Sequence, residues 1–396
     1  MEKFKLLKSI SATGSKLNII MKIGIEVQRI FRPKKHGMEI VSMEVIRELQ
    51  QLDKNNQYIL FSKKDVDDGT VQATQNFTID TSIEGSYPIW EQVGLPGKIK
   101  SLQLDFLHCT ANTAPLFSKV PIIITIHDVI YMESLSFEGS SYQNFGNIYR
   151  RLIVPRVAKK ARFILTVSEY EKQVLAKLLN IPEDKIRVIY NGVNQQFKVI
   201  KEEELLENFK KKYNLPEKFI LHFGNTAPKK NTIGVLKAYK IFINRQTNPL
   251  PLVMTDCDAE YIKELLKKIN APELMSYIII PGYIPFVDIP LLYNLGTVFL
   301  YPSHRESFGM PVIEAMACGV PVITSNKSAL PEIAGGAACL VNPEKAEEIY
   351  EQLNLLLTDK TFYENKRQAG FINAQRFSWK IAAAKTLEVY NEMKSI

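Results

Sequence analysis

The feature that most constrains the fold of this chain is the repeated alternation of short apolar runs with longer amphipathic segments. Such runs are typical of buried strands, and segments whose apolar residues recur every three or four positions are typical of helices. Because the two kinds alternate, we predict parallel sheets covered by helices on both faces. The predicted strands span residues 22–28, 58–61, 106–108, 121–125, 162–167, 187–189, 219–223, 252–254, 277–281, 298–301, 320–324 and 338–341. The predicted helices span residues 38–52, 145–160, 168–179, 232–245, 259–269, 311–318, 343–358 and 379–393.

Length and charge pattern divide the chain into two α/β domains. A chain of 396 residues exceeds what one hydrophobic core usually holds. A charged stretch at 198–214 indicates an exposed boundary between the halves. We predict a flexible extension at 1–20, an N-terminal Rossmann-like domain at 21–197, a second Rossmann-like domain at 198–376, and a C-terminal helix at 377–396. A basic arm on a membrane surface is the alternative for the extension.

Composition excludes several classes of protein. The formal net charge of +8 favours anionic partners, but without a long Lys/Arg block it does not indicate nucleic acid. Cys109, Cys257, Cys318 and Cys339 form no C-x-x-C pair and are typical of buried thiols in a reducing compartment. No apolar run is long enough for a membrane-spanning helix. We expect a cytoplasmic location, and the basic charge is compatible with peripheral contact at the inner membrane.

The most informative segment follows the predicted strand 298–301. Gly309 permits a tight turn, Pro311 suits a first helical position and Gly319 suits the position after a helix. The free N–H groups of this short helix would form a diphosphate site. Glu306 and Glu314 would flank one ligand, because carboxylates accept hydrogen bonds from sugar and ribose hydroxyls. The alternative is that Glu314 only complements the helix dipole and that Glu306 is solvated.

The segment from Glu306 to Glu314 resembles the E-x₇-E signature of retaining glycosyltransferases of family four, which have the GT-B fold. Further matching segments are Ile126-His127-Asp128, Thr166-Val167-Ser168-Glu169, Tyr190-Asn191-Gly192-Val193, Gly224 with Pro228-Lys229-Lys230-Asn231, Leu330-Pro331-Glu332 and Phe377-Ser378-Trp379. The resemblance implies two Rossmann-like doubly wound domains that face a central cleft. It places the acceptor in the N-terminal domain and the nucleotide sugar in the C-terminal domain, with the last helix packed back on the N-terminal domain.

The resemblance also implies roles for individual residues. Glu306 would contact the donor hexose, Glu314 the ribose and Lys230 the diphosphate. The predicted catalytic residues are His127, Glu306 and Lys230. The predicted donor-binding residues are Gly37, Asp128, Gly224, Asn225, Lys229, Lys230, Glu306, Ser307, Phe308, Gly309, Met310 and Glu314. Many family members carry Arg where this chain has Asn225, so either one phosphate-binding cation is missing or Lys229 or Arg305 supplies it.

The predicted reaction is retaining transfer of a hexose from a nucleotide diphosphate sugar to a hydroxyl of a growing surface glycan or lipid-linked acceptor. Mannose from GDP-mannose is our best guess, supported by residues 228–231 and the segment around Trp90, and UDP-glucose or another hexose is the alternative. For Trp90 we expect a core position, and stacking on a sugar is the alternative. We expect no cofactor and no metal, because Asp258 in Asp-Cys-Asp suits a helix N-cap. An epimerase or hydrolase on the same fold, and a non-catalytic glycan-binding scaffold, remain open.

Overall fold

The computed structural model describes residues 20–33, 35, 37–133 and 141–395. The first sheet has seven parallel strands in the order β3-β2-β1-β4-β5-β6-β7, and the second has six in the order β10-β9-β8-β11-β12-β13. The strands are β1 Lys22–Glu26, β2 Gln57–Phe61, β3 Phe77–Asp80, β4 Phe106–Cys109, β5 Ile122–Thr125, β6 Phe163–Thr166, β7 Ile186–Val188, β8 Ile220–Phe223, β9 Leu252–Thr255, β10 Ile278–Ile279, β11 Val298–Tyr301, β12 Val322–Ser325 and β13 Cys339–Val341.

Helices connect the strands and cover both faces of each sheet. They are α1 Gly37–Leu52, α2 Tyr87–Ile89, α3 Leu95–Leu102, α4 Ile130–Glu133, α5 Ser141–Lys160, α6 Glu169–Leu179, α7 Glu203–Lys212, α8 Thr232–Arg245, α9 Ala259–Lys268, α10 Ile289–Leu295, α11 Met310–Ala317, α12 Leu330–Ala334, α13 Ala346–Thr358, α14 Lys360–Ala374 and α15 Trp379–Glu392. Within the described ranges, no helix has the length and apolar character that crossing a bilayer requires.

The strand order reverses once in each sheet, and these reversals locate the ligand sites. The chain runs outward from β1 through β2 and β3, then returns to place β4 on the other side of β1. The second sheet repeats this arrangement around β8 and β11. In open parallel sheets the loops separate at such a switch point and leave a crevice beyond the carboxyl ends of the strands. The two switch points therefore lie beyond Glu26 and Cys109, and beyond Phe223 and Tyr301.

The last helix, α15, packs against the N-terminal domain. Trp379 and Tyr390 join the apolar core that contains β1 and α1. The Tyr390 hydroxyl lies 2.6 Å from Nδ1 of His108 in β4, and Trp379 Nε1 donates to Asn194 Oδ1 at 2.6 Å. A Cβ on Gly192 would lie 2.2 Å from the Trp379 backbone nitrogen, so only glycine allows this close approach.

The sequence-based prediction missed strand β3 and helices α2, α3, α4, α10, α12 and α14. Among them, β3 and α14 have weak apolar patterns. Strand β3 is an edge strand with the sequence FTID, and helix α14 buries only Gly370, Asn373 and Ala374. The strand predicted at 277–281 is reduced to Ile278–Ile279, because residues 272–277 form a 3₁₀ turn. The segment at 198–214 contains helix α7, which buries Phe209 against the second sheet.

Candidate active site

Two loops meet at the switch point of the second sheet. The loop after β8 ends in a 3₁₀ turn at Pro228–Lys230, and the loop after β11 carries Glu306. Asn231 joins them, because its amide nitrogen donates to the carbonyls of Pro302 at 3.0 Å and Pro343 at 2.7 Å. The His304 N–H also donates to the Lys229 carbonyl at 2.7 Å. These bonds hold Lys230 beside Glu306, although 76 positions separate them in sequence.

Lys230, Tyr301 and Glu306 form a closed triangle of hydrogen bonds. The Lys230 ammonium donates to the Tyr301 hydroxyl at 2.6 Å and to Glu306 Oε1 at 2.7 Å. The Tyr301 hydroxyl donates to the same Oε1 at 2.9 Å. Glu306 is 8% exposed, so the alternative of a solvated carboxylate is wrong. An ammonium has three N–H donors, and two are used here. The third can bind an incoming anion.

Gly309 sets the start of helix α11. Its φ is +97°, a left-handed conformation that side chains rarely adopt, and a Cβ there would lie 2.7 Å from Leu330 Cδ2. The N-cap residue Gly309 has no side chain that could cap this helix, and Pro311 in its first turn has no N–H. An uncapped N-terminus with a positive dipole end is a favourable place for an anion.

Glu314 lies one turn into α11 and faces inward. It is 5% exposed, and its Oε2 accepts a hydrogen bond from the Tyr293 hydroxyl at 3.3 Å. Burial raises the pKa of Glu314 to about 7, and the Tyr293 hydrogen bond acts in the opposite direction. A carboxylate kept away from water with one weak partner retains capacity to accept hydrogen bonds from a ligand.

The loop after β8 holds three further predicted donor-binding residues. Gly224 is buried, and a Cβ there would lie 2.9 Å from Cys257 Sγ. The Asn225 side chain accepts a hydrogen bond from Ala227 N at 2.8 Å, so it shapes its own loop. Lys229 is half-buried, and no described carboxylate forms an ion pair with it. Lys229 therefore remains available as the second cation.

Two models of known protein families match this chain. Residues 36–197 match the model described as Glycosyltransferase Family 4, and residues 205–376 match the model described as Glycosyl transferases group 1. Together the matches span most of the chain, one over each sheet domain. The chain belongs to the family 4 glycosyltransferases.

The relatives of this glycosyltransferase include mannosyltransferases. It is 30% identical over 233 residues to the O-antigen chain mannosyltransferase B of Escherichia coli, a match that covers 58% of this chain and 60% of that protein. It is 28% identical over 250 residues to the serotype-specific mannosyltransferase WbdA of Escherichia coli, covering 62% of this chain and 31% of that protein. The matched regions thus span less than two thirds of either relative.

The fold of this glycosyltransferase is the GT-B fold. The structure of HepE from Anabaena in complex with UDP superposes with a TM-score of 0.71 at 17% identity, over 94% of this chain and 100% of that chain. At this level of identity the similarity establishes the fold only. The expected pair of Rossmann-like parallel-sheet domains is confirmed.

Arg305 lies in the loop after β11 of this glycosyltransferase but contacts the N-terminal domain. Its Nη2 lies 2.7 Å from Glu133 Oε1, and its Nη1 lies 2.5 Å from Glu171 Oε1. Nη1 also donates to the Glu306 carbonyl at 3.0 Å. Its guanidinium is therefore committed to an interdomain ion pair. The expectation that Arg305 could replace a missing phosphate-binding cation is wrong for this arrangement.

Ser307 and Phe308 also lie where the domains meet. The Ser168 hydroxyl donates to the Ser307 carbonyl at 2.7 Å. The Phe308 ring packs edge-on against Phe377 and near Tyr190, within an apolar cluster from both domains. Met310 is partly buried against the same cluster. The side chain of Phe308 is thus an interdomain packing residue, and any donor contact it makes would be through its backbone.

The predicted residues of the N-terminal domain lie in different surroundings. His127 is 7% exposed, its Nε2 lies 2.9 Å from the Thr110 carbonyl, and burial lowers its pKa. It lines a small cavity of about 40 Å³. Asp128 is half-buried and accepts from Ile130 N at 3.2 Å. Gly37 is exposed at the start of α1, and its neighbours Lys34 and His36 lie outside the described residues. Trp90 is fully buried, so the sugar-stacking interpretation is wrong.

A larger cavity, which sequence reasoning missed, lies at the switch point of the first sheet. Its volume is about 550 Å³, and every residue that lines it belongs to the N-terminal domain. Glu26 at the end of β1 and Thr110 after β4 form part of its floor. The available sequence signal was the carboxylate of Glu26 at the end of an otherwise apolar strand.

Proposed function

We propose that this family 4 glycosyltransferase transfers a hexose from a nucleotide diphosphate sugar to a hydroxyl of a growing surface glycan or lipid-linked acceptor, with mannose from GDP-mannose as the donor we favour. The observation that carries the proposal is the triangle of Lys230, Tyr301 and Glu306 beside the uncapped start of α11. The names of the E. coli relatives support mannose.

The donor would lie along the start of α11. Its diphosphate would take the third N–H of Lys230 and the positive end of the helix, with Lys229 as the second cation. Glu306 would accept a hydrogen bond from a hexose hydroxyl, and Glu314 from the ribose. Each group matches a complementary partner: cations and N–H groups bind phosphate, and carboxylates bind hydroxyls.

We propose retention at the anomeric carbon by front-side attack. A double displacement needs a carboxylate nucleophile beneath the sugar, whereas Glu306 is bound to Lys230 and Glu314 points inward. In front-side attack the leaving diphosphate accepts the acceptor's proton as its bond to the sugar breaks. Catalysis then depends on stabilising the diphosphate, for which Lys230 and the helix start are placed. His127 would approach the transferring sugar from the N-terminal domain, and its lowered pKa keeps the imidazole neutral.

The proposed reaction uses neither a cofactor nor a metal ion. Lys230, Lys229 and the positive end of α11 would supply the charge that balances the diphosphate. Asp258 has a structural role: its carboxylate caps helix α9 by accepting a hydrogen bond from Tyr261 N at 2.8 Å.

A panel of nucleotides tests the proposed donor site. We expect GDP or GDP-mannose at roughly 100 times its Kd to stabilise the protein by about 2.7 kcal/mol relative to the ligand-free state. UDP or UDP-glucose at the same concentration should raise the melting temperature less. Glu314→Gln should weaken nucleotide binding about 10- to 100-fold, because a charge-assisted hydrogen bond to ribose is lost. Stabilisation by UDP alone would overturn the mannose donor, and no stabilisation by any nucleotide would overturn the function.

We also propose that helix α5 contacts an anionic membrane at the cytoplasmic face. Ile148 and Leu152 are 47% and 52% exposed and share one face of the helix, and the exposed Arg156 continues that face. Changing Ile148 and Leu152 together to Ser should reduce cosedimentation with phosphatidylglycerol vesicles about 10- to 100-fold. Ile372→Ser, on an exposed site of α14, is the matched control. Equal binding to phosphatidylcholine vesicles, or no loss in the variant, would contradict the proposal.

A further inference from the structure

The cavity of about 550 Å³ at the first switch point contains an unsatisfied buried carboxylate. Glu26 is 1% exposed, and its Oε1 accepts a hydrogen bond from Gln28 N at 2.9 Å. Its Oε2 is buried and has no hydrogen-bond partner among the described residues. Burial raises the pKa of Glu26 to about 7, and the Glu91 carboxylate acts in the same direction. A buried acceptor without a partner destabilises a fold, so its position in a cavity wall points to a ligand.

A second acid behind the cavity wall is fully satisfied, and this contrast singles out Glu26. Glu91 is completely buried and accepts hydrogen bonds from Tyr87 at 3.0 Å and from Gln92 at 2.8 Å, and from Thr113 and Tyr149. This network fixes Tyr87 and Tyr149, which both line the cavity. Their rings meet edge to face with centroids 5.9 Å apart. The cavity thus has rigid aromatic walls beside one free carboxylate oxygen.

The lining suits a neutral polyhydroxylated group better than a phosphate. Carboxylates accept hydrogen bonds from hydroxyls, and aromatic faces pack against the apolar face of a sugar ring. Glu26 and Glu39 in the wall, with Glu91 behind it, would repel an anion deep in the cavity. Arg29 and Arg150 also line it, but the Arg29 guanidinium stacks over the Tyr87 ring at 4.7 Å and the Arg150 guanidinium over the Tyr131 ring at 5.4 Å.

We propose that this cavity binds a neutral sugar residue of the acceptor, and that Oε2 of Glu26 determines specificity by accepting a hydrogen bond from one of its hydroxyls. The inference rests on the proposed function, because it assigns a chemical class to the acceptor. It goes further in naming the residue that recognises the acceptor and in excluding an anionic group from this subsite. The volume of about 550 Å³ accommodates a monosaccharide with room for a second residue or water.

Saturation-transfer NMR with simple probes tests the proposal on the full chain. The probes are the methyl α-glycosides of mannose, glucose and galactose, with inorganic phosphate as the anionic competitor. We expect at least one glycoside to bind the wild type, and Glu26→Leu to weaken that binding about 10- to 100-fold. Glu26→Gln preserves the side-chain size and should weaken binding less, so it serves if the leucine variant fails to fold. Glu44→Gln is the matched control, since Glu44 pairs with Arg47 and lies outside the cavity wall.

Nucleotide binding separates this inference from the proposed function. Glu26→Gln should leave stabilisation by GDP or UDP unchanged while raising the acceptor KM, a separation that a merely structural role would not produce. If the wild type binds nucleotide, and the wild type and both Glu26 variants bind the glycoside equally well, only the role of Glu26 is overturned. Displacement of the glycoside by phosphate, or failure of every glycoside to bind, would overturn the neutral-sugar subsite. If the wild type binds no nucleotide, the proposed function itself is overturned.

Discussion

Replacing Lys230 by methionine is expected to lower kcat about 100- to 1000-fold while the domain stays folded. The proposed leaving group is a diphosphate, and its negative charge grows as the glycosidic bond breaks. Interactions that strengthen with that charge act on the transition state and therefore on kcat. Methionine keeps most of the side-chain length and volume but removes the ammonium. The donor KM should rise less than kcat falls.

Two neighbouring lysines provide graded comparisons for this prediction. Lys229→Met removes a cation from the same turn and should have a smaller effect, because its ammonium is not held beside Glu306. Lys237→Met removes an exposed cation from helix α8 and should leave kcat unchanged. Steady-state kinetics with saturating donor, together with melting temperatures, distinguish loss of catalysis from loss of fold. A Lys230→Met enzyme within about threefold of wild type would remove this residue from diphosphate stabilisation.

The local geometry around Glu306 and Glu314 was predictable, because the spacing of nearby residues determines it. Gly309 and Pro311 specify a turn and a helix start, and this spacing brings Glu306 and Glu314 to one short segment. Lys230 was added through the resemblance to family four, which implies a diphosphate-binding lysine in the loop after β8. The hydrogen bonds that Lys230 donates to Glu306 and to the Tyr301 hydroxyl could not be predicted. They depend on how Asn231 joins the two loops.

Features that depend on contacts between distant elements were not predictable. The cavity needs Glu26 from β1, Thr110 after β4 and Tyr149 from α5 to converge, and no local pattern brings these positions together. Ser168 and Glu171 have the spacing of a capping box, and the Ser168 hydroxyl accepts a hydrogen bond from Glu171 N at 3.1 Å at the start of α6. The Glu171 carboxylate instead pairs with Arg305 of the other domain. The sequence around Glu171 therefore indicates a local helix cap, whereas its carboxylate forms an ion pair between the domains.

That contact gives the second prediction with a large expected effect, which is loss of stability in Arg305→Leu. Glu171 is fully buried, and Arg305 supplies the positive charge beside it. Removing one partner of a buried ion pair leaves the other charge uncompensated and typically costs about 3 to 5 kcal/mol. For domains of this size we expect the melting temperature to fall by about 6 to 20 °C. Glu133→Gln is the control, since Glu133 is 34% exposed and should contribute about 1 kcal/mol or less.

The loss of stability in Arg305→Leu should depend on pH, and the surroundings of Glu171 determine the direction of this dependence. Burial raises its pKa to about 7, Arg305 acts in the opposite direction, and Asp128 and Glu133 add to the increase. Because the pKa of Glu171 is higher in the folded than in the unfolded protein, protonation of Glu171 favours the folded state. This contribution to stability is lost as the pH rises through about 7. Without Arg305 the pKa rises further. The difference between wild type and Arg305→Leu should therefore be small near about pH 5.5 and large near about pH 8.5.

A double variant separates a buried-charge effect from simple loss of packing. In Arg305→Leu with Glu171→Leu no uncompensated charge remains, so most of the lost stability should return, and the pH dependence should disappear. Scanning calorimetry of the wild type, both single variants and the double variant at the two pH values gives the coupling energy directly. If the double variant is as unstable as Arg305→Leu at both pH values, packing rather than charge holds the loop after β11 against the N-terminal domain.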